Sequence, residues 1–356
     1  MSVYNDHTGP EDRVYHSMTS VREFLIIYGG LTHWCREEHY GLWTFNTING
    51  VWRRYELPIG VKDTPISSSI CAVGNLVYIF GGTSLIDHFR RTNSLVSFDI
   101  TNGTWQTVYS HTDIHDENTP PPMYGNLLFY HDGSLYVLRG FASDMDLDKL
   151  YKFTLKTSKW SLVQQNGEKP FLNNRIFGSV FKNQLYCFGH CLHEANRFRN
   201  VKIFDLCTKT WTERQTNSKT KQYPEDRIFE SFVFSCNFGY LGGGRHPEHN
   251  TLYSDIWKVD LESLEWLKLN YTFKTGIKNH QMAVIKDVKL FSFGGGGDNP
   301  DSPHDLERFM VNVPTLYNLG LEYVSRDPKM KKLTDSLPSA ILDELNLNQS
   351  DRSVDA

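Results

Sequence analysis

Runs of about five mostly apolar residues recur along the chain, each the length of a strand and each closed by glycine. Phe24–Tyr28 runs into Gly29-Gly30, Leu76–Phe80 into Gly81-Gly82, Leu241 into Gly242-Gly243 and Phe293 into Gly294-Gly295. Two further copies keep one glycine of the pair, as Leu138-Arg139-Gly140 and Phe188-Gly189-His190. A second landmark marches with the first. Trp52, Trp105, Trp160, Trp211 and Trp266 each follow one of these glycine landmarks, so two independent features share a period of about 50 residues. Within the second unit the pattern predicts strands over 67–73, 76–80, 94–100 and 104–109. Asn102-Gly103, and Asn49-Gly50 before Trp52, mark the hairpin between the last two strands, where positive φ suits Asn and Gly. A four-stranded sheet cannot bury both faces alone, so six such units are expected to pack radially into an all-β, six-bladed β-propeller with Trp between the blades. The sixth unit lacks its Trp. This predicts a ring closed by exchange, with residues near Val3 and Tyr4 supplying the last outer strand.

Composition sharpens this picture. Aromatic residues make up 13% of the 356, with eight Trp and 26 Gly, a balance that favours short strands and tight turns over helices. The net charge of −4 leaves no basic field for nucleic acid. Six cysteines are scattered singly, and the first residues lack the charged-then-apolar layout of a secretory leader, so a reducing cytoplasmic or nuclear setting is expected. No apolar run approaches the roughly 20 residues that cross a bilayer. Cys187, His190, Cys191 and His193 lie close in sequence, but strand alternation turns Cys187 into the blade, which predicts a buried free thiol rather than a metal site. No phosphate loop, nucleophile elbow or metalloprotease helix is present in the sequence. No cofactor, metal or catalytic residue is expected, and the chain reads as a binding protein.

Beyond Phe309 the β pattern stops. It divides the chain into a propeller over 1–313, a helical tail over 314–346 and a polar, disordered end over 347–356. Pro314 stands where a helix begins, with apolar residues at Leu316, Leu319 and Val324. A second helix is capped by Ser336, with Leu337, Ile341, Leu342 and Leu345 on one face.

The phrase Pro10-Glu11-Asp12-Arg13 returns as Pro224-Glu225-Asp226-Arg227 at the same point of its unit. Arg13, His16 and Ser17 follow in one copy, with Arg227, Glu230, Ser231 and Arg175, Gly178, Ser179 as eroded versions. With the glycine pairs and Trp anchors, these residues resemble the kelch repeat over about residues 10–316. The tail has its own resemblance. Thr315, Leu316, Leu319, Gly320 and Val324 look like the elongin-binding BC box, with Gly320 where that family has Cys. Leu337, Pro338, Ile341 and Leu345 are similar to the cullin-2 box. Both boxes follow the last blade in kelch-domain substrate receptors of cullin-2 RING ubiquitin ligases. The resemblance implies elongin C/elongin B and cullin-2 as partners, and substrate proteins held on the propeller face. The loops behind the glycine pairs carry Arg90, Arg91, Arg139, Arg197, Arg199, Arg245 and Lys278, cations suited to carboxylates. Arg245, after Gly242-Gly243-Gly244, matches the arginine with which the related receptors grip a terminal carboxylate. The alternative is a kelch interaction scaffold, cytoskeletal or signalling, whose tail only seals the propeller.

Overall fold

The computed structural model describes residues 3–5, 9–32, 35–58, 65–86, 89–114, 116–138, 140–141, 148–169, 176–189, 197–297, 306–327, 330, 337–338 and 341. They form six blades, antiparallel but for one short parallel strand added to blade 4. Blade 1 holds β1 (Val3–Asn5), β2 (Ser17–Val21), β3 (Phe24–Tyr28), β4 (Leu42–Asn46) and β5 (Val51–Tyr55). Blade 2 holds β6 (Ser69–Val73), β7 (Leu76–Phe80), β8 (Leu95–Asp99) and β9 (Thr104–Tyr109); blade 3 holds β10 (Leu127–His131), β11 (Ser134–Leu138), β12 (Leu150–Thr154) and β13 (Lys159–Val163). In blade 4, β14 (Asn166–Gly167) flanks the outer side of β15 (Phe177–Phe181), β16 (Gln184–Phe188), β17 (Asn200–Asp205) and β18 (Thr210–Gln215). Blade 5 comprises β19 (Ser231–Phe234), β20 (Phe238–Gly242), β21 (Asp255–Asp260) and β22 (Trp266–Thr272). Blade 6 has β23 (Gln281–Ile285), β24 (Lys289–Phe293) and β25 (Glu307–Met310), followed by helix α1 (Leu316–Arg326).

The glycine pairs have one physical cause. At the first glycine φ is +65° (Gly29), +67° (Gly81), +60° (Gly243) and +68° (Gly294), and a Cβ there would strike a carbonyl of the next blade, of Pro65, Met123, Ile277 and Arg13 respectively. The second glycine's N–H donates to that same carbonyl, from Gly30 to Pro65 (2.8 Å), Gly82 to Met123 (2.9 Å), Gly244 to Ile277 (2.7 Å) and Gly295 to Arg13 (2.9 Å). In blade 5 this work falls to Gly243 and Gly244, one place later than the pair read from the sequence. The pair is thus the joint between neighbouring blades.

The Trp residues fill the gaps, as expected. Trp266 packs with Phe177, Phe188 and Phe198 of blade 4; Trp160 packs on Phe80 and Tyr109 of blade 2; Trp105 joins Tyr55 of blade 1. Cys187 is buried among Phe129, Tyr136 and Trp211, and burial pushes its thiol far above the usual range.

Three expectations are corrected. β1 does not complete blade 6: it runs antiparallel along β5, with Val3 opposite Tyr55 and Asn5 opposite Arg53, and blade 6 has three strands among the described residues. The ring closes instead by packing. Met18, Leu25, Ile27 and Trp43 of blade 1 meet Ala283, Ile285, Phe291 and Phe293 of blade 6, and Ser20 Oγ donates to the Val284 carbonyl at 2.7 Å. Second, in blade 4 Phe177, not Ser179, occupies the position of Ser17, because it is Phe177 that pairs with Phe188 just before the glycine. Third, of Asn102-Gly103 and Asn49-Gly50 only the glycines take positive φ, and Gly103 N donates to Asp99 O (2.8 Å), which makes a wider loop than a two-residue hairpin.

Candidate functional site

Inner strands begin, and second strands end, on one face, so the glycine joints and the loops behind them surround a single mouth. Its frame is built from buried arginines. In both copies of the Pro-Glu-Asp-Arg phrase the guanidinium makes the same two bonds: Arg13 to Glu11 O (2.9 Å) and Gly29 O (3.1 Å), Arg227 to Glu225 O (3.0 Å) and Gly243 O (3.1 Å). Each phrase therefore clamps its own blade's glycine joint. Arg227 adds Asp255 (2.7 Å) and stacks 4.2 Å from the Tyr253 ring. Burial pushes the Asp255 carboxyl up, but the Arg227 charge and hydrogen bond, helped by Trp257 and Lys268, hold it below the usual range. Arg197 is equally internal, paired with Glu230 at 2.9 Å and bonded to Gly189 O. It is framework, not a mouth cation.

Adjacent loops are tied by Glu38, a buried carboxylate that accepts from Ser84 Oγ (3.0 Å) and from the backbone N–H groups of Leu85 and Ile86 (3.2 Å for the latter). His39 beside it is driven down to about 4, by burial first and by the Arg13 charge second. A histidine whose folded value is depressed contributes stability that is complete above its unfolded value of about 6.5 and is lost as pH falls towards 4. Acidification from pH 7 to 5 is expected to cost at most about 2 kcal/mol at this site, less to the extent that solvent screens the partly exposed ring. His39→Asn should flatten the fall in melting temperature over that range, and an unchanged slope would refute the assignment.

The accessible cations fall on different sectors of the mouth. Arg90 is exposed, and Arg91 is half-buried with its guanidinium 5.6 Å from the Tyr124 ring, itself stacked on Phe141. Arg199 is exposed and lies 4.3 Å from the Tyr223 ring. Arg245 is half-buried, its backbone paired to Ile228 on one side and Leu252 on the other. Its guanidinium lies 5.9 Å from the Phe229 ring and donates to Asn250 Oδ1 at 3.0 Å. Lys278 is half-buried, held by two backbone bonds to Gly296. Arg139 lies outside the described residues, as do Arg175, His190, Cys191 and His193. The sequence reading missed the aromatic partners of these cations and the exposed Tyr15 and Phe229; their signal is the position two residues before each inner strand.

The tail forms a second surface. Thr315 caps α1, its Oγ1 accepting from Asn318 N at 3.2 Å. Leu321 is buried (5% exposed) and Glu322 pairs with Lys289 of blade 6, which fixes the helix against the propeller. The opposite stripe faces outward: Leu316 (87% exposed), Leu319, Gly320 and Tyr323 (61%) recur at helical spacing. A Cβ on Gly320 would touch nothing within 4 Å. Val324 is half-buried, so Tyr323 rather than Val324 completes the outward stripe. Leu337 and Ile341 are half-buried and Pro338 is exposed, with Ile341 N bonded to Pro338 O at 2.9 Å. Ser336, Leu342, Leu345 and the disordered end expected over 347–356 lie outside the described residues.

Six blades around one loop-built mouth define a propeller binding module. Residues 67–295 match the family model of the KLHDC2/KLHL20/DRC7 Kelch-repeats domain, and the chain belongs to the kelch-repeat family. It is 23% identical to Kelch domain-containing protein 10 of Homo sapiens over 333 residues, covering 89% of this chain and 74% of the relative. Kelch domain-containing protein 3 of Rattus norvegicus is 23% identical over 362 residues (91% and 87%), and Kelch domain-containing protein 1 of Mus musculus 26% identical over 262 (64% and 62%). Kelch domains are protein-interaction modules, and kelch propellers generally bind rather than catalyse.

Proposed function

We propose that the protein is a substrate-recognition subunit of a cullin-2 elongin B/C RING ubiquitin ligase, working in the cytoplasm or nucleus. The observation that carries this reading is the outward apolar stripe of α1, which falls on the box-like residues Leu316, Leu319 and Gly320 directly after the last blade. Large apolar side chains left in water next to a packed domain mark a docking surface. Elongin C would take Thr315, Leu316, Leu319 and Gly320, with Val324 at the edge; cullin-2 would take Leu337, Pro338, Ile341 and Leu345. The mouth, with Arg245 foremost and Arg139, Arg90, Arg91, Arg199 and Lys278 around it, would hold a carboxylate-bearing substrate peptide such as a chain terminus. An adaptor of this kind does no chemistry; it raises the effective concentration of substrate beside a ubiquitin-loaded partner.

The test is co-expression with elongin B, elongin C and cullin-2 followed by size-exclusion chromatography. Wild type is expected to co-elute. Leu316→Ser with Leu337→Ser should abolish co-elution, and Leu316→Ser alone should shift the melting temperature by less than about 2 °C, since Leu316 contributes almost no buried area. A wild-type chain that elutes alone removes the ligase reading. The scaffold alternative draws on Leu321 and the Glu322–Lys289 pair, which pack α1 onto blade 6. It predicts instead that wild type elutes alone and that Leu321→Ser, which removes this packing, melts well below wild type.

A further inference from the structure

In five of the six blades the residue two places before the inner strand takes the left-handed conformation: Tyr15 (φ +58°), Ser67 (+52°), Gly125 (+66°), Phe229 (+61°) and Asn279 (+58°); the blade 4 position lies outside the described residues. Backbone bonds between neighbouring blades hold it there, from Ser67 N to Tyr15 O, Gly125 N to Ser67 O and Asn279 N to Phe229 O, each 2.8 Å. Gly and Asn tolerate this conformation best, and blades 3 and 6 use them. Tyr and Phe are among the worst residues for it, yet blades 1 and 5 place them there. Burial does not offset the strain, because Tyr15 is 42% and Phe229 45% exposed. Bulky aromatics held in strained backbone and left open to solvent at a mouth are what a recognition surface requires.

The neighbouring chemistry names the ligand. Arg245 lies beside Phe229, and its guanidinium has Asn250 Oδ1 as partner but no carboxylate among the described residues; its Nε is without a hydrogen-bond partner there. Lys278 precedes Asn279, which sits in blade 6 between the two aromatic positions. Blades 5, 6 and 1 thus set aromatic, amide and aromatic side by side with two cations adjacent. An arginine fork lacking an acid matches a carboxylate, and a flanking ring matches a large apolar side chain. We infer that Tyr15 and Phe229 are specificity-determining residues of the mouth, selecting peptides that present a large apolar side chain close to a carboxylate. The inference rests on the reading of the mouth as a peptide site and adds to it the apolar half of the ligand.

The probes are fluorescein-labelled Gly-Ser peptides carrying one Trp and one Glu separated by zero to three residues, with free or amidated C-termini. Control peptides replace Trp by Ser or Glu by Gln. Fluorescence anisotropy with the full chain is expected to show at least one Trp peptide binding about tenfold or more tighter than its Ser counterpart. Comparing the Gln controls and amidated forms identifies whether the carboxylate is a side chain or a chain end. Tyr15→Asn and Phe229→Asn should reduce the Trp preference to less than twofold while raising the melting temperature by about 2–4 °C, because strain is relieved. Binding without Trp preference, or preference retained in both variants, overturns this inference and leaves the peptide site standing. A lower melting temperature in the Asn variants also overturns it, since the rings would then be structural. No binding by any peptide overturns the peptide-site reading and the inference with it.

Discussion

Arg227→Ala is expected to destabilise the propeller by about 3–5 kcal/mol, the range for removing one partner of a buried ion pair. Arg227 is fully buried, and its loss leaves the Asp255 carboxylate with only Trp257 and Lys268 and strands the carbonyls of Glu225 and Gly243 and one face of Tyr253. Its backbone carbonyl also receives Arg197, whose side chain reaches on to Glu230 and Gly189, so the damage spreads to blade 4. Urea unfolding should show a lower midpoint at unchanged slope. Arg227→Lys should recover only part of the loss, because an ammonium cannot reproduce the planar fork that bonds Gly243 O and Asp255 together. A change below about 1 kcal/mol for the Ala variant would mean that the clamp is dispensable. The same variant tests the link from frame to function. Arg227 holds the Gly243 joint from which Arg245 emerges, so peptide binding at the mouth should weaken before the fold is lost.

What is legible in the sequence follows from which forces are local. Glycine pairs and Trp anchors are set by contacts that repeat in every unit, so their period revealed six blades and the strands within them. In the second unit the expected strands over 67–73 and 94–100 overlie the observed Ser69–Val73 and Leu95–Asp99. The closing of the ring was not legible, because pairing of β1 with β5 or with blade 6 depends on which open edge the chain reaches, and both offer the same unpaired backbone. In blade 4 the residues Arg175, Gly178 and Ser179 imitate the kelch phrase, and only strand register shows that Phe177 takes the serine's place. Among the mouth cations, sequence placed Arg245 in its loop but gave no means of separating Arg197, which pairs internally with Glu230. The tail helix was visible through Pro314 and the spacing of Leu316, Leu319 and Val324. Which stripe faces outward was not, since that depends on Leu321 and Glu322 finding blade 6.

Gly294→Ala is expected to open the ring at the junction of its first and last blades. The φ of +68° alone makes an L residue unfavourable there by about 1–2 kcal/mol. The larger cost is steric, because the added Cβ would press on the Arg13 carbonyl and on His16 Cε1 at 2.7 Å. Moving that carbonyl breaks the Gly295 N to Arg13 O bond and shifts the guanidinium clamp of blade 1, so neither neighbour yields cheaply. Gly74→Ala separates the two terms: φ is +60° there too, but a Cβ would meet nothing within 4 Å. The difference between the two variants in unfolding free energy therefore measures the joint itself, and about 2 kcal/mol or more is expected. Since among the described residues no strand of blade 1 completes blade 6, closure there falls to this joint and the packing of Met18, Trp43 and Phe293. Equal losses in Gly294→Ala and Gly74→Ala would show that the seam tolerates displacement and that side-chain packing alone shuts the ring.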